Sequence, residues 1–143
     1  METDRADPGI DLNSPYHYRL WCRDFADTTR VIRSPEGAVV AFTTAYVRPD
    51  EPTTLMVWQQ VASASHRSRN LGHARVRDIT QSHLAEHRTT HVEATVTDTS
   101  GAPVRTVQKM CDEFGGTLAV NLLLGQEVFP EGNHEAEDLE RVR

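Results

Sequence analysis

Apolar positions along this chain change period several times, and each change marks a predicted element. Tyr18, Trp21, Cys22 and Phe25 recur at i, i+3, i+4 and i+7, the stripe of an amphipathic helix. Ser14-Pro15 in front of them offers an N-cap and a first-turn proline, so a helix is expected from there to about Ala26. Val31-Ile32, a turn at Ser34-Pro35-Glu36-Gly37 and a β-rich run from Ala38 to Val47 follow, the pattern of a hairpin. Pro49 and Pro52 break that run, and Thr53 to Ala62 reads as another strand. Ser63 to Gly72 is polar and basic and is expected to be loop. His73 to about His87 is helix-compatible on a thin stripe of Val76, Ile79 and Leu84. Val92, Ala94 and Val96 alternate with Glu93, Thr95 and Thr97, which predicts a half-buried strand. Val104, Val107, Cys111 and Phe114 mark a further helix closed by Gly115-Gly116, and Thr117 to Leu124 reads as the last strand. The acidic stretch around Glu135 reads as a tail. A hairpin followed by two crossover units predicts an α/β domain, a mixed sheet with helices on both faces.

The bulk numbers narrow what such a domain does. At 143 residues the chain suits one domain, residues 11–143, behind a flexible N-terminus of residues 1–10. No stretch approaches the roughly 20 apolar residues of a membrane span, and no secretory signal opens the chain, so a cytoplasmic protein is expected. A net charge of −6 speaks against nucleic acid as the main partner. Cys22 and Cys111 have no metal-ligand or disulfide spacing, and both are expected to be buried thiols. His83-Leu84-Ala85-Glu86-His87 has the spacing of an inverted zinc-peptidase motif, but it falls at the polar end of a helix and reads as exposed histidines. No metal is expected.

Four segments carry a resemblance. Asp11-Leu12-Asn13-Ser14-Pro15-Tyr16-His17-Tyr18, continuing through Cys22-Arg23-Asp24-Phe25-Ala26-Asp27-Thr28, is the longest. Thr54-Leu55-Met56-Val57-Trp58-Gln59, Glu93-Ala94-Thr95-Val96-Thr97 and the tail Phe129-Pro130-Glu131-Gly132 with His134-Glu135-Ala136-Glu137-Asp138-Leu139 complete it. In order and spacing they resemble the diaminobutyrate acetyltransferases of ectoine biosynthesis, within the GNAT superfamily, over about residues 11–143. The resemblance implies a GNAT-like sheet lacking its first strand, acetyl-CoA as acetyl donor, a small diamino acid as acceptor, and a homodimer.

It also implies a division of the site. Two neighbouring strands of such a fold splay to admit the pantetheine arm, and the pyrophosphate rests on the start of the next helix. Gln59, Val61, Arg67, Ser68, Arg69, Asn70, Leu71, Gly72 and Ser100 fall at cofactor-facing positions. Asp11, Asn13, Trp58, Glu93, Thr95 and Glu135 fall on the acceptor side, where carboxylates would hold ammonium groups. Tyr16 or Tyr18 would protonate the leaving thiolate. The family loop Arg-Gly-x-Gly-x-Gly or Ala is here Arg67-Ser68-Arg69-Asn70-Leu71-Gly72, so two glycines that permit close phosphate approach are replaced. Arg75 and Thr80 interrupt the expected apolar stripe of the cofactor helix. The alternatives are a GNAT-fold protein that has lost coenzyme binding, or one with other chemistry on a similar amino acid. Residue by residue, Asp11 and Asn13 also fit helix caps, Tyr16 and Tyr18 core-edge aromatics, Trp58 core, and Glu135, Arg67 and Arg69 solvated charges.

Overall fold

The computed structural model describes residues 13–66, 71–86, 89–97, 101–124 and 137–142. A first helix, α1 (Pro15–Asp24), starts where Ser14 caps it, its hydroxyl accepting from the His17 amide at 3.2 Å. A 3-10 turn, Ala26–Thr28, leads into β1 (Thr29–Arg33), β2 (Val39–Val47) and β3 (Thr54–Ala62). Gly37, at φ 90°, makes the β1–β2 turn with a backbone that side-chain-bearing residues rarely adopt. Then come α2 (Leu71–Ala85), β4 (His91–Thr97), α3 (Gly101–Phe114), β5 (Leu118–Leu124) and β6 (Glu137–Val142).

The six strands form one mixed sheet in the order β1-β2-β3-β4-β6-β5. Among the described strands β3 and β4 pair in parallel and the other neighbours are antiparallel. On one face, Ala45, Leu55, Val57, Val92, Ala94 and Val142 pack against Val76 and Ile79 of α2 and Val107, Met110 and Cys111 of α3. On the other face α1 lays Tyr18 against Phe42, and Trp21 against Tyr46 and Trp58. The predicted α/β sandwich is therefore the observed one, and none of its described helices is long and apolar enough to cross a membrane.

Three expectations need correction. The stretch read as an acidic tail contains β6, inserted between β4 and β5, so the strand after α3 is not the last. The α2 helix begins at Leu71, two residues ahead of the expected His73. Cys22 is exposed, not buried; His17, not Cys22, joins Tyr18, Trp21 and Phe25 on the inner side of α1. The spacing i, i+3, i+4 left both flanks of the stripe open, and the sheet's aromatics took the His17 flank.

Candidate active site

The ladder between β3 and β4 runs only from Thr54↔His91 to Val57↔Ala94. Beyond that point β3 continues to Ala62 on β2, while β4 continues to Thr97 on β6. Two adjacent parallel strands thus part company halfway along the sheet. Their facing edges carry backbone donors and acceptors not used by each other, a slot suited to an extended amide-bearing chain.

The cause of the opening lies in one residue. Thr44 pairs with Gln59 but Ala45 pairs with Val57, so Trp58 is the extra residue of a β-bulge. A regular strand would send Trp58 and Gln59 to opposite faces. Here both address α1: the Trp58 ring lies 4.9 Å from His17 and 4.6 Å from Trp21, and the Gln59 carbonyl accepts from the Tyr18 hydroxyl at 2.9 Å. Trp58 remains 39% exposed, enough to wall a cleft. Tyr18 is fixed further by the Asn13 amide, which donates to its hydroxyl at 3.4 Å. Tyr16 is 71% exposed on the outer side of α1.

Glu93 and Thr95 lie on the same side of the sheet as Trp58, since Val92 and Ala94 between and beside them face α2 and α3. Glu93 is only 1% exposed. Arg141 of β6 donates to its carboxylate at 2.8 Å and Arg48, just past β2, at 3.1 Å. The same arginines reach Glu51 and Asp50, giving two guanidiniums and three carboxylates around the start of β3 and β4. Hydrogen bonding by Arg141 holds the Glu51 carboxyl below its ordinary range. Asp50 and then Glu93 raise Arg48, and Glu51 raises Arg141. Sequence reasoning missed Arg48, Glu51 and Arg141, because only the β4–β6 register sets Arg141 opposite Glu93.

On the opposite side of the opening, β3 runs through a 3-10 turn, Ala64–His66, and the chain re-enters at Leu71 and Gly72, the first turn of α2. The amides of that first turn have no intrahelical acceptor and suit an anion. Val61 sits near the end of β3, its carbonyl 3.5 Å from Nη2 of Arg75. Asp11, Arg67, Ser68, Arg69, Asn70, Ser100 and Glu135 lie outside the described residues. Of the expected site, the structure brings Trp58, Gln59, Tyr18, Glu93 and Thr95 to one face around the strand opening and leaves Tyr16 in solvent. Among the described residues no group of three or more metal-ligating side chains gathers; His87 and the His83 side chain of the histidine motif lie outside them.

A mixed sheet with a bulged strand, a parted parallel pair and a helix start beside the gap defines an acyl-CoA N-acyltransferase of the GNAT class. At the level of fold alone, Ard1 from Thermoplasma volcanium superposes with a TM-score of 0.66 at 16% identity, over 93% of this chain and 82% of that one. Diaminobutyrate acetyltransferase EctA from Paenibacillus lautus, solved with L-2,4-diaminobutyric acid and coenzyme A, superposes with a TM-score of 0.85 at 34% identity, covering 93% of this chain and 80% of its own. The L-2,4-diaminobutyric acid acetyltransferase of Streptomyces coelicolor is 40% identical over 133 residues, 93% of this chain and 78% of the relative. No family model matches. The chain belongs to the L-2,4-diaminobutyric acid acetyltransferase family.

Proposed function

We propose that this protein transfers the acetyl group of acetyl-CoA to an amino group of L-2,4-diaminobutyrate. The observation that carries this reading is the parting of β3 and β4 at the Trp58 bulge, in a chain of this family. The amine nitrogen attacks the thioester carbonyl, the C–S bond breaks, and the thiolate takes up a proton. Backbone groups on the open edges of β3 and β4 suit the pantetheine amides, and the first turn of α2 suits the diphosphate. Trp58 walls the acceptor cleft, and Tyr18, anchored on Gln59, presents a hydroxyl at its edge. In the same reading the carboxylates of Asp11 and Glu135 hold substrate ammonium groups, and Arg67, Ser68, Arg69, Asn70 and Ser100 face the coenzyme.

Purified protein with acetyl-CoA and L-2,4-diaminobutyrate should release free thiol only when both are present, with one acetyl-diaminobutyrate formed per thiol. No thiol release at saturating concentrations of both would overturn the reading. Faster turnover with lysine or with a peptide N-terminus would move the acceptor elsewhere. By family likeness we propose that the product feeds ectoine formation and that the protein works in the cytoplasm. We propose a homodimer as well: β1 pairs on one side only among the described strands, leaving an edge that a second copy can cover. Sedimentation at micromolar concentration should give twice the chain mass, and a monomer would remove that part.

A further inference from the structure

Arg75, in the second turn of α2, is buried to 4% exposure on the sheet side of the helix. Its Nε donates to the Thr43 hydroxyl at 2.7 Å and its Nη2 reaches the Val61 carbonyl at 3.5 Å. Nη1 is buried and has no hydrogen-bond partner among the described residues. Nε and Nη2 share one edge of the planar guanidinium, so the edge facing β2 and β3 is occupied and the other is idle. No described carboxylate bonds to Arg75. Asp78, one turn further along α2, is engaged by Arg30 at 2.5 Å. Glu113 of α3 lies 2.9 Å from His73 Nε2 and 3.6 Å from Nη1 of Arg77. Burial without a counter-charge pushes the pKa of Arg75 down to about 10.

An unpaired buried cation is costly, and a fold keeps one only where something offsets it. Side chains on a helix lean toward its N-terminus, so Arg75, four residues after Leu71, carries its charge back along the first turn of α2. The Val61 contact agrees, since Val61 is one residue from the end of β3. The amides that open a helix lack intrahelical acceptors, and the positive end of the helix dipole acts there as well. Two sources of positive charge therefore converge with no negative one among the described groups. We infer that Arg75 is the counter-charge for the diphosphate of the acetyl donor, seated with the first turn of α2 and replacing in charge what the loop has lost in glycine.

This inference rests on the acetyl-CoA reading above. It makes stability and affinity move in opposite directions, which a purely structural arginine would not. In the full-length protein, Arg75→Leu should raise the melting temperature without ligand, because the uncompensated charge is gone. Calorimetry should show its affinity for coenzyme A falling about tenfold or more, the scale of one charge-assisted contact. Affinity for pantetheine, which has the thiol arm and no phosphate, should stay unchanged, and Arg75→Lys should recover part of the coenzyme affinity. Arg75→Met serves the same comparison if the leucine variant does not fold. Equal loss for coenzyme A and pantetheine, or no loss for either, overturns the inference and leaves the acetyl-donor reading intact. Wild-type protein that binds neither ligand overturns both.

Discussion

Glu93 is the residue whose environment departs furthest from its sequence neighbourhood. Between the apolar Val92 and Ala94 it looks like the polar side of a half-exposed strand, yet it is buried and held by Arg48 and Arg141. Replacing such a carboxylate with a neutral side chain is costly, because both guanidiniums then lose a partner in a poorly solvated place. Glu93→Gln should destabilise the protein by about 2–3 kcal/mol, less than a fully buried pair because both arginines keep partial exposure. Urea unfolding at neutral pH measures it, and a change within about 0.5 kcal/mol would show that the pairs contribute nothing net. Trp58 has the opposite character. It is partly open to solvent, and its described ring contacts come from α1, edge-on from His17 and tilted from Trp21. Trp58→Ala should cost about 1–2 kcal/mol of stability, since aromatic pairs add modestly to burial. Its larger effect should fall on the KM for diaminobutyrate, with the KM for acetyl-CoA little moved. The reverse split would assign Trp58 to the coenzyme side.

At the scale of elements, legibility followed local signal. Helix α1 was readable because Ser14-Pro15 is a start signal with a physical basis, and the Ser14 hydroxyl does cap the His17 amide. Ser14→Ala should therefore lower stability by about 1 kcal/mol, and an unchanged melting curve would mean that packing of the aromatic face alone fixes the helix start. Strand β3 was readable as a strand, but the parity switch at Trp58 was not, because a bulge is decided by the pairing partner and not by the bulged residue. Helix α2 was located from its stripe, and its described span, Leu71–Ala85, takes in two residues ahead of that stripe's expected His73 start. Strand β6 was missed outright. Glu137, Asp138, Glu140 and Arg141 lack the β-branched and aromatic character of a strand, and only the register Glu93↔Arg141 gives one of those charges a reason to lie in the middle of a sheet. The candidate site was legible where it sits on α1 and β3, through strings long enough to mark the family.

For the molecule as a whole, β6 joins the two halves of the sheet: β5 reaches β4 only through it. Its Arg141 bonds Glu93 on β4 and Glu51 in the turn between β2 and β3, so one ionic cluster spans the parallel and antiparallel parts. The consequence is a pH dependence with a definite sign. The Glu51 carboxyl lies below its ordinary value of 4.5, chiefly because Arg141 donates to it. A carboxyl depressed in the folded protein contributes stability that is fully present above the ordinary value. That contribution is lost as pH falls through the lower folded value. Urea midpoints should therefore hold steady from neutral pH to about pH 5, then drop below 4.5, with Glu51→Gln flattening the decline and leaving the neutral plateau lower. High salt should shrink the difference between the two proteins, since Glu51 and Arg141 both remain partly open to solvent. An acid limb that keeps its full slope in Glu51→Gln would mean that other carboxylates set the acid limit and that this cluster does not tie the sheet together.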